Sequence, residues 1–166
     1  MKKMKKNFII LFLIALIPIK AFALIEVDIT RGNLNPLPLA VSPLSIDDQS
    51  RKNFEKILKK QNIGSEISSI VENNLRISGL FNPISKDAFL QAPDIANLKP
   101  RFEDWNLIKA QALITGKVNY IDEKLRVEFR LWDVLAGKEM MALAFTTVPN
   151  NWRRVGHIIT DKVYER

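Results

Sequence analysis

Few residues of the chain stand in the patterns that catalysis or metal binding requires. His157 is the only histidine, so it has no second imidazole for a metal pair, and no serine or cysteine in a recognisable nucleophile motif accompanies it. The absence of cysteine excludes disulfides, iron–sulfur clusters, thiolate zinc sites and a cysteine nucleophile. We therefore interpret His157 as a helix-packing or capping residue, and we predict no catalytic residue, no metal ligand and no cofactor.

Adjacent carboxylates and tryptophans are the other residue types that could do chemistry. Neighbouring carboxylates on a helix or turn rarely converge on one substrate, so we interpret three such pairs as cap and turn residues. Three tryptophans could stack on sugars or bases, but their strand and helix spacing is more typical of core or rim positions. These residues are Asp47/Asp48, Glu103/Asp104 and Asp122/Glu123, together with Trp105, Trp132 and Trp152. The six glycines are scattered singly, so no phosphate-binding loop is predicted.

The first 23 residues have the pattern of a secretory signal. A basic segment, Met1–Lys6, precedes an apolar run over Phe8–Ile17, and Pro18 ends that run. Ala21 and Ala23 place small side chains where a signal peptidase cleaves. The run is too short for a transmembrane span, which needs about 20 apolar residues. We predict a signal peptide over 1–23, a periplasmic location and no membrane span after cleavage, with an uncleaved anchor as the alternative.

The leader also accounts for the basic balance of the chain, which has a formal net charge of +7. Five lysines and no acidic residue lie in the first 23 positions, and the remainder has 20 basic residues (25 less 5) against 18 acidic ones. A nearly balanced mature chain argues against nucleic acid as the partner. The basic stretch Arg51–Lys60 leaves an anionic-surface binder as an alternative, whose signature would be steep salt dependence.

Alternating residues at the predicted mature N-terminus are typical of a half-buried strand. Ile25, Val27 and Ile29 share one face, and Glu26 and Asp28 lie between them. A strand at a free chain end can add to the exposed sheet edge of another protein, and its acidic side chains could meet a basic partner. The alternative, which the residues by themselves favour, is that this strand belongs to the domain's own sheet.

The rest of the chain predicts helices that alternate with strands. The main helices are predicted over Ile63–Ser78, with Ser65 as N-cap and Gly79 as the left-handed residue after the helix, and from Trp152 onward. Shorter helices are predicted near 48–60 and over 101–109, with 86–98 irregular. Strands are predicted over 37–44, 80–85, 112–121, 125–132 and 140–148, with a tight hairpin at 122–124. This order predicts an α+β fold, a two-layer domain in which a mixed sheet of about five strands packs against two main helices.

The last predicted helix is still periodic at Val163–Arg166, and no glycine, asparagine or proline follows to end it. A helix that stops without a cap leaves backbone carbonyls without partners. We therefore expect that the natural chain continues, or that this sequence is a fragment or the product of a broken reading frame.

Three blocks together resemble the amino-terminal domain of the TolB family. Order and spacing match across most of the predicted mature chain, 24–166, although Asn74 stands where the family usually has aspartate. The segment 45–62 is predicted as a basic insertion, because Arg51–Lys60 lies outside the match. The blocks are Ile67–Ile84; Trp105 with Ala110–Val118; and Phe129–Val134 with Gly137, Arg154–His157 and Asp161–Glu165.

The resemblance implies a non-catalytic periplasmic component of the Tol–Pal system, which serves outer-membrane invagination during cell division and envelope integrity. It also implies that residues 24–32 bind the C-terminal domain of TolA. In the family a six-bladed β-propeller follows and binds the lipoprotein Pal, so we expect Pal binding only of full-length relatives. The alternative class is a small periplasmic hydrolase or transferase, which would need convergent titratable groups in a pocket.

Overall fold

The computed structural model describes residues 35–166, except for the side chain of Leu98. The strands are β1 (Leu37–Val41), β2 (Ser45–Ile46), β3 (Phe81–Pro83), β4 (Ala112–Ile121), β5 (Lys124–Asp133) and β6 (Lys138–Thr147). The helices are α1 (Asp48–Leu58), α2 (Ile63–Ile77), α3 (Pro93–Leu98), α4 (Phe102–Leu107) and α5 (Trp152–Tyr164). Two short 3₁₀ helices cover Lys86–Ala88 and Pro149–Asn151.

The strands form one mixed sheet in the order β3-β1-β4-β5-β6. β1 runs parallel to both β3 and β4, whereas β4, β5 and β6 form an antiparallel meander. β2 pairs with β4 further along the same parallel direction, so β1 and β2 behave as one strand with an interruption. The α+β class and the mixed sheet are confirmed, and residues 35–166 contribute six strands where about five were predicted.

A serine on α2 accounts for the interruption between β1 and β2. The Ser68 hydroxyl accepts a hydrogen bond from the Leu44 N–H at 2.9 Å, and it lies 3.1 Å from the Ser42 carbonyl and 3.0 Å from that of Gly64. Because a helix residue satisfies this backbone, the chain leaves the ladder after Val41. The strand predicted over 37–44 is therefore too long at its C-terminal end.

The β4–β5 hairpin is closed by two residues with positive φ, Asp122 at 49° and Glu123 at 61°. Positive φ at both central positions defines a type I′ turn, whose twist matches that of paired strands. The strand predicted over 125–132 is confirmed as β5, and its apolar residues alternate with polar ones, so that four are buried on one face: Leu125, Val127, Phe129 and Leu131.

The main core lies between this face and the helices α1, α2 and α5. Both main helices were predicted, and each buries nearly all the apolar side chains of one stripe. Each such side chain contributes roughly 1.5–3 kcal/mol of burial free energy. Gly156 lets the two main helices approach closely, since a Cβ there would lie 2.8 Å from the side chain of Ile70. The buried stripes are Ile63, Ile67, Val71 and Leu75 on α2, and Trp152, Val155, Ile159 and Val163 on α5.

A second, smaller cluster covers part of the opposite sheet face, which the two-layer prediction did not include. Trp105 from α4 packs there with Ala40 and Leu113 of the sheet and with Val134 just after β5, and Ala96 joins them from α3. The prediction that 86–98 is irregular is wrong, because this cluster recruits the segment as a 3₁₀ turn and the helix α3.

The cap predictions differ in outcome. Ser65 is not the N-cap of α2, which begins two residues earlier with Asn62 at the cap position. Gly79 has a φ of 72°, as predicted for the residue that follows α2. Asn151 precedes α5 but makes no side-chain cap, because its amide donates to the Thr147 hydroxyl at 3.1 Å.

Candidate functional site

The predicted partner-binding and cleavage residues lie outside the described residues. They are Ile25, Glu26, Val27, Asp28 and Ile29, and Ala21 and Ala23. The structure describes the chain from Asn35 onward. Asn35 and Pro36 are exposed, and the Leu37 N–H then donates to the Leu80 carbonyl at 2.9 Å, which anchors the start of β1.

An apolar groove of about 310 Å³ lies at this point of the fold, and we call it the entry groove. Leu37 is 36% exposed and forms part of its wall, so the first residue of β1 borders the groove directly. Apolar concave surfaces of this size are the usual sites for an apolar side chain of a ligand or partner. The remaining lining residues come from both ends of the domain: Leu39, Phe81, Gln111, Ala112, Leu131, Asp133, Leu135, Met140, Val163 and Arg166.

The adjacent carboxylates occupy cap and turn positions. Asp47 accepts from both the Ser50 N–H (2.8 Å) and the Ser50 hydroxyl (2.6 Å) as the N-cap of α1, and these bonds lower the pKa of Asp47. Asp122 and Glu123 form the hairpin turn described above. Glu103 and Asp104 lie in the first turn of α4, where negative charge suits the helix dipole.

His157 joins the two main helices. Its Nδ1 lies 2.9 Å from the Asn74 side-chain nitrogen, so the ring accepts there from the amide of α2. The same amide donates to the Thr160 hydroxyl at 3.2 Å, and the Tyr164 hydroxyl donates to the Asn74 carbonyl at 3.0 Å. Asn74 therefore acts as a neutral link between α2 and α5, which agrees with our interpretation of His157 as a packing residue.

Glu72 on α2 is the most strongly engaged carboxylate of the helical layer. Burial opposes its charged form, but Arg76 at 2.6 Å and Lys86 at 3.0 Å outweigh that cost, and the pKa of Glu72 is lowered. Lys86 belongs to the 3₁₀ turn before α3, so this ion pair fastens that turn to α2.

The basic stretch Arg51–Lys60 lies on α1 and the residues that follow it, and some of its side chains pack against the rest of the domain. Phe54 is fully buried and meets the ring of Tyr120 edge-on, with 5.4 Å between centroids. Lys60 pairs with Glu66 at 2.6 Å and lies 5.1 Å from the ring centroid of Trp152. The lysines at 52, 56 and 59 remain exposed.

The tryptophans are structural, as predicted. Trp105 is 1% exposed and donates to the Gln91 side-chain oxygen at 2.8 Å, and Trp152 is 5% exposed. Trp132 is half-buried and donates to the Thr115 hydroxyl at 2.9 Å. Trp105 and Trp152 are buried, and the ring of Trp132 packs edge-on against Phe102 with 5.8 Å between centroids, so the three rings serve the core and its rim.

Within residues 35–166, no group of three histidine, aspartate or glutamate side chains is placed to hold a metal ion. No helix in that part of the chain is long and apolar enough to cross a bilayer.

Three features were not predicted from the sequence: the entry groove, the helix α3, and the junction between β1 and β2 that the Ser68 hydroxyl holds by hydrogen bonds. For α3 a local signal existed, since Pro93 opens it and Asp94 follows in its first turn, a common helix start. The groove and the junction have no such signal, because their residues are distant in sequence.

The protein is therefore a small α+β domain. Its mixed sheet carries the helices α2 and α5 on one face and the small Trp105 cluster on the other. The chain belongs to the TolB amino-terminal domain family, whose model matches residues 25–140. It is 83% identical over 157 residues to the Tol-Pal system protein TolB of Pelagibacter ubique (strain HTCC1062). That match covers 95% of this chain and 35% of the relative, so the chain spans about a third of that protein's length.

A solved structure shows the same fold. The crystal structure of TolB from Acinetobacter baumannii matches with a TM-score of 0.60 and 20% sequence identity, over 78% of this chain and 28% of that one. At this level of identity the likeness concerns the architecture, and it agrees with the mixed sheet and helices described above.

Proposed function

We propose that the chain is a periplasmic, non-catalytic component of the Tol–Pal system, and that its segment 24–32 binds the C-terminal domain of TolA. The observation that carries the proposal is the 83% identity to a Tol-Pal system protein TolB over nearly the whole chain. The family model begins at residue 25, so the predicted binding strand belongs to the matched region.

The sequence supports strand addition as the binding mode. Ile25, Val27 and Ile29 repeat every second residue, so the segment can place one apolar face on a partner while its backbone bonds to an open sheet edge. Glu26 and Asp28 would face a basic surface. The entry groove is lined by Leu37, which follows this segment closely in the sequence, and it offers room for an additional apolar side chain of the partner.

The leader supports a periplasmic location, with cleavage after Ala23. A role in outer-membrane invagination and envelope integrity follows from membership of the Tol–Pal system, and contact with Pal belongs to the longer relatives. A non-catalytic role is supported by the titratable groups of residues 35–166, since His157, Asp47 and Glu72 are each engaged in structural contacts.

The direct test is a titration of ¹⁵N-labelled TolA C-terminal domain with a peptide that spans Leu24–Gly32. We expect chemical-shift changes along one edge strand of that domain. A peptide with Val27→Asp should bind weakly, because it places a charge on the apolar face. Absence of shift changes with the unaltered peptide would exclude this binding mode.

Export is tested separately by N-terminal sequencing of the protein recovered from the periplasmic fraction. We expect the mature chain to begin at Leu24. Recovery of a chain that retains Met1, or of none outside the inner membrane, would contradict the proposed location.

A further inference from the structure

The outer edge of β6 is long and carries no charge over its last seven residues, Met141–Thr147. Within residues 35–166 no strand pairs with this edge. The opposite edge of the sheet, β3, is only three residues long and contains Pro83, so it is poorly suited to further pairing. Soluble proteins usually protect a long edge with charge, proline or a covering segment, and β6 lacks the first two over this stretch.

We propose that β6 pairs antiparallel with β6 of a second copy of this chain, with the two-fold axis at Ala144. The register of β5 with β6 supports this centre. Leu131 faces Met141 but Trp132 faces Glu139, so Met140 is an extra residue in a bulge. Bulges end regular pairing, which leaves Met141–Thr147 as the straight segment, and its midpoint is Ala144.

The side chains are self-complementary in this register. On the helix-side face, Leu143 meets Phe145 of the second copy, and Met141 meets Thr147 of the second copy. On the other face, Ala142 meets Thr146 of the second copy. Directly opposed residues of an antiparallel pair share a sheet face, and these pairs bring apolar or small side chains together without opposing like charges.

A groove beside the outer edge of β6 supports a second copy of the chain as the partner. It lies between β6 and α5 and has a volume of about 350 Å³. The proposed register places Leu143 and Met141 of the second copy over this groove, because both lie opposite residues that line it. Leu143, which is 36% exposed in the single chain, becomes covered. The groove is lined by Ala144, Phe145, Thr146, Thr147, Asn151, Arg154, Val155 and Ile158.

Seven paired residues span about 24 Å at about 3.4 Å each, which is a small interface. We therefore expect an equilibrium between monomer and dimer that depends on protein concentration. Sedimentation velocity on the purified full chain should show a weight-average mass that rises with concentration. Leu143→Lys should remain monomeric over the same range with an unchanged far-ultraviolet circular dichroism spectrum, because it places a charge at the centre of the pairing.

The cysteine-free chain allows the register to be tested directly. Ala144→Cys places two thiols opposite each other at the two-fold axis, within the reach of a disulfide. Ala142→Cys is the matched control, because Ala142 is also exposed and lies on the same face of the same strand. Its two thiols would be four residues apart along the strand, about 14 Å, which a disulfide cannot bridge.

Under mild oxidation with copper phenanthroline, we expect Ala144→Cys to give at least about tenfold more disulfide-linked dimer than Ala142→Cys at low protein concentration, since pairing raises the local thiol concentration. Equal yields from the two variants, or a greater yield from Ala142→Cys, would overturn the proposal. A Leu143→Lys variant that still associates would do the same.

Discussion

Removal of one hydroxyl, in Ser68→Ala, should destabilise the domain measurably. Ser68 is 1% exposed and holds the break between β1 and β2. Without its oxygen, the Leu44 N–H loses its acceptor at 2.9 Å and has no water to replace it, because Leu44 is also buried. The carbonyl of Ser42 loses its contact with the same hydroxyl.

The expected cost follows from the loss of hydrogen bonding. A buried donor left without a partner costs about 1–3 kcal/mol. Alanine is the better helix former, and this gain offsets about 0.5 kcal/mol. The net loss should therefore be about 0.5–2.5 kcal/mol. With a denaturant slope of about 2 kcal/mol/M, the urea midpoint should fall by about 0.25–1.25 M.

The matched control is Ser69→Ala, one residue along the same helix. Ser69 is exposed, and its hydroxyl donates to the Ser65 carbonyl within α2. Its replacement should change the unfolding free energy by less than about 0.5 kcal/mol. Hydrogen exchange of the Leu44 amide should accelerate only in Ser68→Ala. If the two variants unfold at the same urea concentration, the reasoning about this junction is wrong.

Three further predictions concern the core, a glycine and a carboxylate. Phe54→Ala should destabilise by about 3–5 kcal/mol in urea unfolding, whereas Ile57→Ala on the exposed side of the same helix should cost under about 1 kcal/mol. In thermal unfolding, Gly116→Ala should destabilise the domain by about 1–3 kcal/mol or more, because the added Cβ would overlap a backbone carbonyl of β5. Gly79→Ala should cost about 1 kcal/mol in the same assay, because the added Cβ has open space but the backbone φ is 72°. Because the fold lowers the pKa of Glu72 from 4.5, its charged form stabilises the domain above that pH, and this contribution is lost as the pH falls through the lowered pKa. Glu72→Gln should thus be less stable than the unaltered chain at pH 7, with the difference shrinking below about pH 4.5; a difference that stays constant down to pH 3 would contradict this.

Local sequence patterns were sufficient to predict the strands and helices that bury one apolar face against the core. The period of two in β5 and the 3.6-residue stripes of α2 and α5 specify which side chains lie inside, and the structure buries them accordingly. The hairpin and Gly79 were predictable for the same reason, because turn chemistry depends on neighbouring residues.

Contacts between distant residues were not predictable in this way. The Ser68 hydroxyl hydrogen-bonds to backbone groups of Leu44 and Ser42, which lie 24 and 26 residues earlier in the chain. The sequence around Ser68 predicts only a helix and does not indicate that these bonds form. The helix α3 was missed because six residues are too few for a clear period, and the cluster around Trp105 is what stabilises it.

The sequence by itself determined the order and type of the main elements, the burial of their apolar stripes and the resemblance to the TolB family. The tertiary structure decided where β1 breaks, that a second cluster covers the far sheet face, and that an apolar groove lies beside the start of β1. The physical reason is that periodicity records how one element meets the core, whereas these features arise only when side chains far apart in the chain are brought together.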